Sequence, residues 1–322
     1  PRAANSSRSA IGSSSSSCSS SGSLLSGAMF GQSATPMSHQ ALHICPSTLF
    51  VDPFSVTLDD WDACLRACVG AGFDGVSLWS LHVSMVEQAG RSREDIRAQL
   101  AELGLAVSCI EAVTGWANAP SAEAAVADAA FTVEMAASFG ADNVIAVLLD
   151  DNLLDVEQAA ENLGAVADLA AAAGMWVCVE YLPWTGIADI GIAWHLIEAS
   201  GRPNVGFLFD SWHWHRQPGG PGAENADVLR SIPGDRIRVF QLCDAAPLAP
   251  GAAGTAAMGE AMSRRPLPGD GVVDHETLFG LFDVIGAQPL VCPEVFNREL
   301  AALGFDECAS AIGRATRELL GR

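Results

Sequence analysis

A chain of 322 residues, 49% of them apolar, is long enough for one large core, and about 250 residues is a common size for a single α/β barrel. The formal charge of −21 argues against nucleic-acid binding, which rests on clustered Lys and Arg that neutralise phosphates. All seventeen basic residues are arginine, which removes mechanisms built on a Schiff-base or P-loop lysine. Nine cysteines, scattered and several inside apolar runs such as "WVCVEYL" and "LVCPEVF", read as buried thiols of a reducing, cytoplasmic compartment and not as a disulfide framework. No run of eighteen or more apolar residues occurs, so no membrane span is expected.

Residues 1–40 form a Ser-rich segment without a single acidic residue, a composition that cannot offset its ordering entropy and predicts a disordered tail. Two arginines and no amphipathic stripe make a poor transit peptide, and the residues before Met37 read as translated upstream sequence. From residue 41 to 322 short apolar runs alternate with longer Ala/Leu-rich stretches. Strands are predicted at 41–47, 75–79, 106–113, 143–149, 176–182, 205–211, 237–243 and 290–296. Helices are predicted near 58–71, 93–103, 121–139, 155–173, 189–200, 224–231, 274–285 and 299–320. Eight of each, with near-continuous apolar strands, is the pattern of a closed (β/α)₈ TIM barrel buried on both faces of its sheet. An open dinucleotide-binding sheet would carry a Gly-rich turn after its first strand, where this chain reads "CPSTLFVDPF".

Barrel chemistry sits at the C-terminal ends of strands. Polar residues there are Glu111 on strand three, Glu180 on five, Asp210 and His213 on six, Gln241 and Asp244 on seven and Glu294 on eight. Buried carboxylates need partners, and Glu180, Asp210, Gln241 and Glu294 offer four oxygens suited to Mn²⁺ or Mg²⁺, with Co²⁺ also compatible. With such a cation in place, no arginine need neighbour them. Glu111 reads either as a substrate-facing group or as a strand-end carboxylate bonded to a loop. Trp116 and Trp184 read as apolar walls over a substrate ring or as loop packing, and His82 as a loop hydrogen-bond partner. Alternation in an extended chain would place His215 on the face of His213, but the chain is expected to leave the strand here, and His215 reads as a histidine of the loop or behind the site. The segment 245–271 is long for a βα loop and reads as a lid, from which Arg264 or Arg265 would bring a charge to an anionic substrate.

In this order and on these strands, "VEYLP", "FDSWHWHR", "VFQLCDA", "RRPLPGDGVVD" and "EVFN" resemble the divalent-metal-dependent xylose-isomerase-like barrels, the sugar phosphate isomerases/epimerases, over about residues 41–320. The resemblance implies that Glu180, Asp210, Gln241 and Glu294 ligate the metal, that Glu180 and Glu294 act as acid and base, and that His213 and Arg216 face the substrate. Arg265, Glu111, Asp244 and Trp116 complete the expected substrate contacts. Gln241 stands where the family's sugar epimerases usually have histidine, and so resembles a branch that includes 3-dehydroshikimate dehydratases. The expected chemistry is proton abstraction beside the carbonyl of a sugar, sugar phosphate or polyol ketone through a metal-bound enediolate. Dehydration assisted by protonated His213, or a metal-binding barrel without turnover, remains open from the sequence. The expected partner is a small hydroxy-ketone, with no nucleic acid and no membrane; a symmetric homodimer is compatible.

Overall fold

A computed structural model describes residues 41–248 and 255–322, so the Ser-rich segment 1–40 lies outside the described residues, as does the stretch 249–254 inside the expected lid. Eight parallel strands follow one another around the sheet in sequence order: β1 His43–Ile44, β2 Gly75–Trp79, β3 Ala106–Val113, β4 Asn143–Val147, β5 Trp176–Glu180, β6 Val205–Asp210, β7 Ile237–Gln241 and β8 Leu290–Val291. A parallel bridge from Leu42 to Val291 joins the first and last strands, as the expected (β/α)₈ barrel requires. Pairing between β7 and β8 continues past the regular ladder, with Cys292 N donating to Phe240 O (2.8 Å) and Glu294 N to Leu242 O (3.3 Å). Pro293 between them faces the β1 side, where its carbonyl accepts from Cys45 N (3.2 Å).

The helices begin where the sequence supplies caps. Thr57, Ser92, Ser121, Asp155, Asp189 and Asp274 each accept a hydrogen bond from a backbone N–H in the first turn of α1 (Leu58–Gly70), α3 (Arg93–Leu103), α4 (Ala122–Phe139), α5 (Val156–Ala171), α6 (Ile190–Ser200) and α10 (His275–Ile285). The caps at Ser121, Asp155 and Asp189 lie at the predicted helix starts. α8 (Ala223–Ser231) fills the remaining predicted position. Three helices fall outside the predictions: α2 (Ser80–Gln88), α7 (Ser211–Arg216) and α9 (Thr255–Ala261). The last predicted helix is two, α11 (Arg298–Ala301) and α12 (Phe305–Leu319), separated at Gly304, whose φ of +96° suits only glycine.

Two apolar layers hold the barrel. The larger lies between sheet and helices. The smaller, made of Cys45, Cys109, Ile145, Cys178, Leu208, Val239 and Cys292, draws on residues in or next to seven of the eight strands and fills the interior below the C-terminal mouth. Closure at the ends of the chain is tied by Arg317, whose Nη2 donates to Ala71 O and Gly72 O (both 2.7 Å), just after α1.

Candidate active site

β5, β6, β7 and β8 deliver Glu180, Asp210, Gln241 and Glu294 to one buried network at the mouth. Asp210 ends β6 and caps α7 at once: its Oδ1 accepts from Trp212 N (2.6 Å) and His213 N (3.0 Å). The short helix this cap starts turns His213 inward, so that its Nε2 lies 3.2 Å from Glu180 Oε1 and 3.8 Å from Asp210 Oδ2. Gln241 Nε2 donates to Glu294 Oε1 (3.1 Å). Extended alternation does not persist past Asp210: two residues along a helix is more than half a turn, so His215 leaves the face of His213 and is half-buried.

Arg265 departs furthest from the sequence reading. It is buried rather than poised on a lid, and its Nη1 donates to Asp210 Oδ2 (2.6 Å) and lies 3.2 Å from Glu294 Oε2. An arginine thus neighbours the carboxylates, where the sequence reading needed none. Carboxylates this close and this buried need a resident counter-charge, and the segment after α9 brings one in. Arg216, expected to face the substrate, instead forms an ion pair with Glu260 of α9 (2.9 Å) and also donates to Ala246 O. Asp244 accepts from Ala245 N (2.8 Å), Gly269 N (3.0 Å) and Val273 N (2.9 Å) and lies 3.2 Å from His275 Nε2, so both its oxygens are engaged in shaping the loop.

Glu111 stands on β3, two strands from β5, bonded by the Ser77 hydroxyl and the Trp79 indole, and its carboxylate falls within 4.8 Å of the donor atoms of Glu294 and Cys45. Of the two tryptophans, Trp116 is wholly buried in the outer core, whereas Trp184 is half-buried and meets His213 edge-on at 5.7 Å. His82 has the loop partners expected of it, with Nε2 2.6 Å from Pro53 O. Ser77, Trp79 and Trp184 line the site, and only Trp184 stands out in the sequence as a wall.

Electrostatics divide the carboxylates. Burial, then the charge of Asp210, pushes Glu180 up to about 8, and burial with Glu180 pushes Glu111 up to about 7. Burial also raises Glu294 well above the usual range, Arg265 offsetting it only in part. Burial acts on Asp210 in the same sense, but Arg265, His213 and its backbone donor together hold it below normal. Burial drives His213 down to about 4, so its imidazole is neutral at pH 7, unlike the protonated form the dehydration alternative needs.

Residues 65–317 match the xylose isomerase-like TIM barrel family. The chain belongs to that family. A 3-dehydroshikimate dehydratase of Pseudomonas putida is 25% identical over 238 residues, 72% of this chain but 35% of that protein. An inosose isomerase of Bacillus velezensis is 24% identical over 59% of this chain and 66% of its own length. The chain thus spans about a third of the first relative and just under two thirds of the second. Among solved structures, an IolI protein with a bound zinc atom superposes with a TM-score of 0.74 at 18% identity, covering 88% of this chain and 98% of that one. That likeness concerns the fold. Family members include isomerases and a dehydratase, which agrees with the two enzyme classes expected from the sequence.

The donor set can be tested for a cation on its own atoms. Gln241 Oε1 is buried and has no hydrogen-bond partner, while its Nε2 donates to Glu294. Beside it, Glu180, Asp210 and His213 bring donor atoms within 4.8 Å of one another, and an orphaned carbonyl oxygen with buried carboxylates suits a hard divalent ion. The residues fit one.

Proposed function

We propose that the barrel is a divalent-metal-dependent isomerase or epimerase acting beside the carbonyl of a neutral polyhydroxy ketone. Glu180, Asp210, Gln241 and Glu294 would hold the ion, with Mn²⁺ or Mg²⁺ favoured by the all-oxygen donors and Co²⁺ also compatible. When bound, it supplies Lewis-acid polarisation of the ketone oxygen and the adjacent hydroxyl. The observation that carries the reading is the pair Glu180 and Glu294: burial raises both above the ordinary carboxylate range, they come from separate strands, and they share a network with Asp210 and Gln241. Glu180, raised to about 8, can both give and take a proton near neutral pH, and with Glu294 shifted in the same sense one glutamate would remove the proton from carbon and the other return it. Neutral His213 orients Glu180 through Nε2, and Trp184 beside it excludes water.

Charge favours a neutral substrate. Arg216 is committed to Glu260 and so is not free for a phosphate or carboxylate, while Arg265 is held by Asp210 and Glu294 in the metal-free protein. A lyase acting on a 3-dehydroshikimate-like acid is the second reading, supported by the longest of the relatives' alignments and by Gln241. The eight cysteines among the described residues are free and buried, which supports a reducing cytoplasmic setting.

Incubation of the Mn²⁺-loaded protein in deuterium oxide with ketoses and inosose-like cyclitols is expected to return substrate or product carrying deuterium at the carbon beside the carbonyl. Glu294→Gln should lower that exchange by about 10²–10⁴. Exchange unaffected by the substitution removes Glu294 from the chemistry, and a new conjugated-acid absorbance from 3-dehydroshikimate moves the assignment to the lyase.

A further inference from the structure

We propose that Arg265 is a resident counter-cation that a divalent ion must displace from Asp210 Oδ2 in order to bind, and that this displacement loosens α9. The proposal rests on the metal site argued above. Asp210 has two oxygens, and Oδ1 is fixed as the cap of α7 by two backbone N–H groups. Only Oδ2 remains for a cation, and Arg265 Nη1 holds it at 2.6 Å. The same nitrogen lies 3.2 Å from Glu294 Oε2, while Glu294 Oε1 is bonded to Gln241. One guanidinium nitrogen therefore engages two of the four donors. A doubly charged ion and a guanidinium at one carboxylate oxygen repel strongly where water is excluded, so the two compete instead of sharing.

The arginine is also built into the segment that follows β7. Its Nε donates to Ala261 O (2.7 Å), the last residue of α9, and its guanidinium lies 5.6 Å from the ring of Trp212 and 5.6 Å from that of Phe296. Its backbone is held independently, by Arg265 N to Phe296 O (2.9 Å) and Asn297 Nδ2 to Arg265 O (3.0 Å). The side chain can thus swing away while the backbone stays, giving up the Nη1 bonds to Glu294 O (3.2 Å) and Cys243 Sγ (3.4 Å) and the Nε bond to α9. What then keeps α9 down is Glu260, which accepts from Ala246 N (2.7 Å) and pairs with Arg216 (2.9 Å). The contacts form one line from the metal donors through Arg265 to α9 and the Arg216–Glu260 pair, and a bias at one end is felt at the other.

Mn²⁺ binding to the full chain, followed by the electron paramagnetic resonance of free Mn²⁺, tests this without any substrate. Arg265→Met is expected to bind Mn²⁺ at least tenfold more tightly than wild type, and Glu260→Gln, which loosens α9 outside the site, about threefold more tightly. In the wild type, Mn²⁺ should speed hydrogen exchange at the backbone amides of residues 258–262. Equal or weaker Mn²⁺ binding by Arg265→Met overturns the proposal and leaves the metal site standing. Should that variant not fold, Glu260→Gln with unchanged affinity and amides that do not speed up overturn it equally. Failure of every form to bind Mn²⁺ removes the metal site and the proposal together.

Discussion

Asp210 does two jobs with two oxygens, and its replacement separates them. Asp210→Asn keeps a side-chain oxygen for the α7 cap but removes the charge opposite Arg265; Asp210→Ala removes both. Breaking a buried pair by deleting one member costs about 3–5 kcal/mol, and a lost cap about 1 kcal/mol more. Urea unfolding is expected to rank wild type above Asn above Ala, and an Asn variant as stable as wild type would show that Arg265 finds its charge balance elsewhere. At this scale the sequence is informative about which residues carry charge and poor about their partners. Glu180, Asp210, Gln241 and Glu294 announce themselves as polar residues ending apolar strands. Arg265 does not, because its approach depends on how a long segment folds back over a strand end fifty-five residues earlier, and no local pattern encodes that.

Elements are legible where physics is local. Strand starts and capped helices follow from apolar runs and Ser, Thr or Asp positions, whereas β4 to β8 end earlier than the apolar runs do, since at the mouth the chain leaves the ladder while apolar residues continue. The unexpected helices α2, α7 and α9 lie on that side, where tertiary contacts choose the conformation. Two glycines of the β7–α10 connection give opposite expectations. A Cβ on Gly271 would run into the Asp244 carboxylate and the Ala245 carbonyl, so Gly271→Ala should lower stability by about 1–3 kcal/mol. Gly259 lies inside α9 with nothing within 4 Å of such a Cβ, and Gly259→Ala should raise helix stability by about 0.5–1 kcal/mol. Thermal melts moving the same way for both would show that Asp244 does not hold that turn.

For the molecule as a whole, the carboxylate network makes stability depend on pH. A glutamate whose folded-state value is raised contributes stability that is full below its unfolded value near 4.5 and is lost as pH climbs through the folded one. His43 and His213, both lowered to about 4, act in the other sense, but only below their unfolded value of 6.5. Between pH 6.5 and 8 the glutamates act alone. The urea midpoint of the metal-free protein is therefore expected to fall across that interval, and Glu111→Gln to flatten the fall. A midpoint rising with pH there would contradict the raised values of Glu111 and Glu180.

The sulfur-rich interior layer bears on how this barrel meets oxidants and alkylating agents. Cys45, Cys109, Cys178 and Cys292 are sealed in the lumen, and burial raises all four thiols, so little thiolate exists to attack anything. Their modification is governed by how often the staves part, not by nucleophilicity. Colour development with a thiol reagent becomes a clock for barrel opening, one that any ligand gripping the folded state would slow.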